Sequence, residues 1–500
     1  MAQNFERYSF SANSDIKVGK IFKFGESLSI GFTDRLVASE PGGNTTLTAA
    51  LNVPFAPIYD ASAPFGYAIM DRATVGDLAN ASNEPIQLVG LNDTRLNETR
   101  VKTRRVLGNI YGEAQFLKGL TYRISGGIDY TGGSGSFFQN TYYFGDNDAN
   151  NINSNLLVNE QPIELTTNLA NTLTYTNTFG KHNLTILLGH EETYFQFEKL
   201  RAQGNSLSNP GLRLVNAAGS TTATKEKDHW ALRGYLGRLN YNYDSRYLLT
   251  FNIRRDETSR FSKENRSDYF PSVAVGWNIA NEGFMKDDSP FNELKLRGSW
   301  GLVGNQFTGA NFAYLSQVSY IPAYVLGSGE NVISAPTSLV FANPDLKWEK
   351  SDQANIGLDI AMFDNKLNFT AEYYRKITKD ILVQVPLPAV SGFTFPTDVN
   401  LGEISNTGVE LSLGYSDKIG EFSYNFSGNF STIKNNVESL GGNQILANAV
   451  STTTSRTIEG EPIGHFLGTR QTVCIRQTPN WPGHPVTTLP SMPTIVRQAT

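Results

Sequence analysis

Six aromatic residues stand in stretches that lack strand alternation: Phe312, Tyr314, Tyr320 and Tyr324 between Gly304 and Lys347, and Phe393 and Phe395 in a later loop. A flat ring stacks on the face of a sugar, so these six are candidate contacts for an oligosaccharide ligand. The plainer reading, favoured because aromatics are plentiful throughout the chain, is that the same rings pack the loops together or anchor them at a membrane interface. No constellation for acid–base, nucleophilic or metal chemistry accompanies them. His182 and His190 are eight apart in one strand-like run, roughly 27 Å at the strand rise, too far to share a metal. Asp146, Asp148 and Asn150 have the spacing of a calcium loop, but Asn151 replaces its glycine and Leu157 its closing glutamate, so the segment reads as a polar loop. Gly132-Gly133-Ser134-Gly135 opens no helix and reads as a linker rather than a phosphate cradle. The chain is therefore read as a non-enzyme with no cofactor and no metal. Two further features are local. Arg100-Val101-Lys102-Thr103-Arg104-Arg105 is a basic cluster, read as the solvated flank of a loop. Cys474 is the single cysteine, which excludes an internal disulfide.

The elements that must position these residues are strands. In the run Tyr247 to Ile253, Tyr247, Leu249, Phe251 and Ile253 alternate with Leu248, Thr250 and Asn252. In the run before it, Tyr235, Leu239, Tyr241 and Tyr243 share one side while Arg238, Asn240 and Asn242 share the other. One face is too apolar for water and the other too polar for a dry core. A sheet with hydrocarbon on one side and a wet lumen on the other satisfies both, and closure into a barrel leaves no backbone unpaired in lipid. The 45 Gly, 30 Phe and 22 Tyr fit such a sheet. A net charge of −5 disfavours nucleic acid as a partner. No run of apolar residues is long enough for a membrane helix, whereas a barrel strand needs only about ten alternating residues. Tight turns, expected at Lys23 to Glu26, Lys118-Gly119, Gly180-Lys181, Asp244-Ser245, Asp364-Asn365 and Asp417 to Gly420, alternate with long connections, including Val37 to Arg105 and 199 to 229. The pattern predicts an all-β, antiparallel up-and-down transmembrane β-barrel of roughly fifteen strands.

With those strands placed, five segments in order, YFPSVAVGWNIANEGFMK, LKLRGSWGLVGNQ, NPDLKWEKSDQANIGLDI, EYYRKITKDIL and GEISNTGVELSL, resemble the barrel of the SusC/RagA family of TonB-dependent outer-membrane transporters of Bacteroidetes. The similarity runs from about residue 5 to residue 468 of the chain. It implies a barrel of about 22 strands, an outer-membrane location surrounded by lipid, and TonB-linked import of oligosaccharides, or in some cases peptides. The partners it implies are a SusD-like surface lipoprotein and the TonB complex. Family members begin with a signal peptide, a TonB box and a plug, and none is recognised before Asn4. The last 22 residues hold five prolines and no alternation, a density strands do not tolerate. The expectation is an incomplete barrel over residues 1–468, not energisable by itself, followed by an aberrant Pro-rich, unstructured tail over 469–500. The rival reading is a non-transporting structural or adhesive outer-membrane β-protein.

Overall fold

The computed structural model describes residues 4–37, 59–62, 66, 97–142, 152–285, 289–326, 331–338, 340–385, 387, 389–393, 397–441, 445–446 and 455–466. The Pro-rich tail, the calcium-like triplet Asp146, Asp148 and Asn150, and Phe395 lie outside the described residues.

Fourteen strands form one antiparallel sheet in the order β1-β2-β3-β4-β5-β6-β7-β8-β9-β10-β13-β14-β17-β18. They are β1 Asn4–Val18, β2 Phe22–Val37, β3 Asn97–Leu117, β4 Leu120–Gln139, β5 Leu156–Phe179, β6 His182–Leu207, β7 Ala218–Tyr243, β8 Tyr247–Thr258, β9 Ser267–Asn278, β10 Phe291–Asn305, β13 Glu349–Met362, β14 Leu367–Lys379, β17 Glu403–Ile419 and β18 Phe422–Ser439. Between them fold the hairpins β11 Ser319–Leu326 with β12 Asn331–Thr337, and β15 Leu382–Val385 with β16 Thr397–Asn400. A small three-stranded sheet, β19 Ile445–Leu446, β20 Ser455–Thr457 and β21 His465–Phe466, follows β18. The chain divides into two compact units, one of Met1–Asp244, Leu249–Pro271 and Gly309–Leu315, the other of Ser245–Leu248, Ser272–Thr308 and Ser316–Thr500.

The up-and-down topology follows from chain-order neighbours joined by tight turns. Most turns fall where the sequence places them, with positive φ at Gly119, Gly180, Asp244, Ser245, Asp364 and Asn365; the last is shifted, since Asp417 to Ile419 are paired strand and Gly420 and Glu421 make the turn. The first is shifted too: β1 ends at Val18 and β2 starts at Phe22, so Gly19 (φ 63°) makes the turn and Lys23 to Glu26 are paired strand. Polar residues at 23 and 26 imitate a turn, but Phe22, Phe24 and Leu28 keep the alternation through them.

The alternation survives as two faces. Leu188, Tyr235, Phe251, Val275, Ile356, Leu413 and Phe426 are all exposed, and each belongs to the apolar set of its strand. On the opposite face Arg238 donates to Asn252 (2.6 Å) and Thr250 to Asn240 (3.0 Å), so the polar side chains meet each other rather than a hydrocarbon core. Aromatic rings bracket the apolar face. On β5–β7, Phe179, His182, Tyr241 and Tyr243 cluster at the turn end. Eight residues along β6, His190 meets Tyr235, ring centroids 4.9 Å apart. That separation, shortened by strand tilt, matches the roughly 25 Å apolar band and two aromatic girdles of a membrane-spanning sheet.

Several strands are far longer than a bilayer requires. β6 and β7 each have 26 residues, against about ten needed to cross. Three stretches expected as loop or linker are strand instead: Gly132 to Gly135 lies inside β4, the basic run Arg100 to Arg105 inside β3, and most of 199–229 inside β6 and β7. Past the membrane both faces meet water, so alternation disappears while backbone pairing continues. The glycines of β4 fit this pairing, since a Cβ at Gly133 would stand 2.9 Å from the Lys102 carbonyl oxygen on β3. A small dry cluster of Phe138, Leu157 and Leu207, with Val215 and Ala218 against it, closes the outer ends of β4–β7.

Candidate functional site

The polar face is built on glycines. Arg297 on β10 is paired with Gly357 on β13, and Gly357 with Glu372 on β14. With no Cβ between them, the guanidinium lies over the glycine and reaches Glu372 (2.6 Å) and Asp359 (3.1 Å). A Cβ at position 357 would be 2.6 Å from Arg297 Cζ. The device recurs in the other unit. Arg254 on β8 passes over Gly234 of β7 to Glu191 of β6 (2.9 Å), and also binds Asp256 (2.6 Å). On β1–β3, Tyr111 crosses Gly25 and donates to Asp15, while Arg123 stacks on the Tyr111 ring at 3.9 Å. Each lane joins side chains on two strands across the glycine of the strand between them and lines the wet side with paired polar groups.

Toward the outer connections an aromatic platform stands on the same face. Phe195 and Trp230 are direct cross-strand partners, stacked at 5.7 Å and 20°. Arg260, in the connection after β8, sits over the Trp230 ring at 5.1 Å beside the fully buried Phe261. Burial holds the Arg260 guanidinium below its ordinary value, with Asp228 acting in the opposite sense. A ring beside a cation with hydrogen-bonding neighbours can stack on a sugar or cap a peptide side chain.

The sequence-derived aromatics divide among different surroundings. Phe312 comes to the flank of this platform, its ring edge-on to His229 at 5.0 Å, with Asn311 donating to Asp228. Tyr314 is half-buried in the same short segment. Tyr320 and Tyr324 stand on β11, paired with Pro336 and Ile333. Phe393 is edge-on to Phe341 at 5.5 Å. Phe312 and Phe393 thus make their ring contacts with residues outside the predicted six. Phe195, Trp230 and Arg260 are absent from the prediction. Trp230 has the parity of Leu232, Leu236 and Arg238, and an aromatic on the polar face was the available signal.

The remaining candidates have structural partners. His182 Nδ1 is 2.7 Å from the Tyr241 hydroxyl, and His190 lies 3.5 Å from Glu192. Among the described residues no cluster of three or more His, Cys, Asp or Glu could hold a metal. The segment Asn343 to Lys350 buries Leu346 and Trp348. Asn400 of β16 fastens it, accepting from the Lys347 amide (2.9 Å) and donating to the Lys347 carbonyl (2.8 Å).

Residues 42–469 match the family model described as TonB dependent receptor-like, beta-barrel. The chain belongs to that family. TonB dependent receptor-like barrels are outer-membrane proteins, which accounts for an apolar face left exposed. Similar proteins include TonB-dependent receptor P3 of Formosa agariphila, 31% identical over 93% of this chain and 46% of the relative. TonB-dependent receptor SusC of Bacteroides thetaiotaomicron is 30% identical over 78% of this chain and 39% of its own length. The chain thus spans less than half the length of these relatives. The fold is similar to that of the RagAB peptide transporter, with a TM-score of 0.74 at 24% identity, covering 92% of this chain and 50% of that one.

Proposed function

We propose that this chain forms the pore wall and outer connections of a nutrient importer that carries oligosaccharides, with peptides as the second substrate class, across the outer membrane. The observation that carries the reading is the division of the sheet into an exposed apolar face and a face where arginines pair with carboxylates across glycines. Such a wall meets lipid on one side and water on the other. The similarity to SusC and the RagAB fold support import over passive display. In this reading residues 1–468 are the barrel segment, a SusD-like surface lipoprotein closes over the outer connections, and the TonB complex supplies energy. Ligand stacks on Trp230 and Phe195, with Phe312 and Tyr314 of the same unit as further contacts; Tyr320, Tyr324, Phe393 and Phe395 are proposed as separate contacts on the other unit, and no bond in the ligand is broken.

The test is uptake of labelled oligosaccharides and peptides by cells in which the protein bearing this barrel is the sole importer, with and without TonB. Uptake that stops when TonB is removed is the expected outcome. Correct insertion with neither uptake nor conductance in planar bilayers would instead favour a structural or adhesive role.

A further inference from the structure

The basic run of β3 has a place that transport does not use. Arg100, Lys102 and Arg104 are spaced by two, so all three stand on one face, and the parity is that of Ile110, the exposed apolar side. Their neighbours fix the height. Arg104 is paired with Phe32 of β2, whose ring stacks on Tyr8 at 6.4 Å. Val106, one step nearer the apolar band, is paired with Tyr130 of β4. Phe32, Tyr8 and Tyr130 therefore form the girdle at the long-connection end, and the three cations begin level with it and climb about 14 Å along the strand.

The floor beside them is open. Arg104, Lys102 and Arg100 are paired with Gly132, Ser134 and Ser136 of β4, so no large side chain on that strand fills the space next to the cations. The Tyr130 hydroxyl leans over Gly132, where an added Cβ would be 2.4 Å from it. Asp34 engages Arg100 (2.7 Å) and Lys102 (3.6 Å). Glu6, the other carboxylate close by, accepts from Asn4, and Glu98 is taken by Arg213. Among the described residues Arg104 has no ion-pair partner, and the hydroxyls of Tyr130 and Ser134 have no hydrogen-bond partner. A guanidinium and two hydroxyls thus face the membrane surface at headgroup height, directly above rings that belong in the acyl boundary.

We propose that Arg104, with Tyr130 and Ser134 beside it and Lys102 above, binds the phosphate of an outer-leaflet glycolipid, fixing a lipid against β2–β4. The chemistry matches: a planar donor fork suits a phosphate, and continuity with the apolar face lets the acyl chains of the same molecule lie on Phe32, Val106 and Ile110. A soluble anion would gain only the first of these, which is why the lipid is the occupant.

The test uses the protein purified from outer membranes in detergent, titrated with a phosphorylated lipid A and with the same lipid after enzymatic removal of its phosphates. The wild type is expected to prefer the phosphorylated form, and Arg104→Gln to lose about fivefold of that affinity, the usual effect of one cation at an anionic membrane surface. Tyr130→Phe, which preserves packing, is expected to lose about threefold, the lower end for one net hydrogen bond at a solvent-exposed site, and it decides the matter if Arg104→Gln does not fold. Equal affinity for both lipid forms, or two folded variants indistinguishable from wild type, overturns the proposal. Displacement of the lipid by inorganic phosphate alone would also overturn it, since the site would then be a simple anion site.

Discussion

Replacing Gly357 by alanine should damage the sheet only when Arg297 is present. The added Cβ would sit 2.6 Å from Arg297 Cζ, 2.8 Å from Nη2 and 2.9 Å from Nε. To restore ordinary contact the guanidinium must move by about 1 Å, which stretches a 2.6 Å bond to Glu372 beyond the hydrogen-bonding range. A hydrogen bond to a charged group contributes about 1.5–3 kcal/mol. These side chains are a quarter to a third exposed on a wet face, and screening lowers the figure to about 1 kcal/mol each. Loss of the bonds to Glu372 and Asp359 therefore costs about 2 kcal/mol, against roughly 0.5–1 kcal/mol regained because alanine is stiffer than glycine. In an Arg297→Met background the same substitution should be neutral or mildly stabilising, so the cycle should show a coupling of about 2 kcal/mol. Urea unfolding of the protein in detergent micelles, read by heat-modifiable mobility and tryptophan fluorescence, measures all four members. Effects additive to within about 0.5 kcal/mol would refute the idea that glycine provides a lane for arginine.

Gly119→Ala should destabilise by at least about 1–2 kcal/mol on the same assay, because φ is +83° and the new Cβ would meet the Thr176 carbonyl oxygen at 2.2 Å; a loss under about 0.5 kcal/mol would contradict the turn geometry. Glu198, on the extension of β6 outside the membrane, is held at about 2 by Lys227 and Lys225. Its folded value lies below its ordinary 4.5, so its contribution is complete above pH 4.5 and disappears as pH falls toward 2. Amide exchange around 196–200 and 225–229 should accelerate in that window and not between pH 7 and 5, and Glu198→Gln should abolish the change. Trp230→Ala should weaken ligand binding about tenfold, or about 1.4 kcal/mol, with Phe312→Ala costing less; calorimetry with an oligosaccharide series would show whether the larger loss falls on Phe312 instead.

Much of the wall was legible because a period of two is a local property. Tyr247, Leu249, Phe251 and Ile253 declare a face without reference to any other strand, and Gly119 or Asp244-Ser245 declare a turn by backbone preference alone. Legibility failed where neither face of the strand is apolar. Gly132 to Gly135 and Arg100 to Arg105 have no apolar alternation to read, yet they are strand, because the backbone of Lys102 and Arg104 pairs with β2 and β4 far away in sequence.

By itself, the order of residues determined that these are amphipathic strands, which side of each is apolar, and which family they belong to, since each depends on spacing within a few tens of residues. Only the tertiary structure decided that Arg254 reaches Glu191 across Gly234, that Trp230 meets Phe195 and Arg260, and that Arg104 stands level with Phe32 and Tyr130. Those are questions of register between strands. A shift of one residue would turn every side chain to the opposite face, and pairing along whole strands, rather than any local pattern, selects the register that brings the charges and rings together.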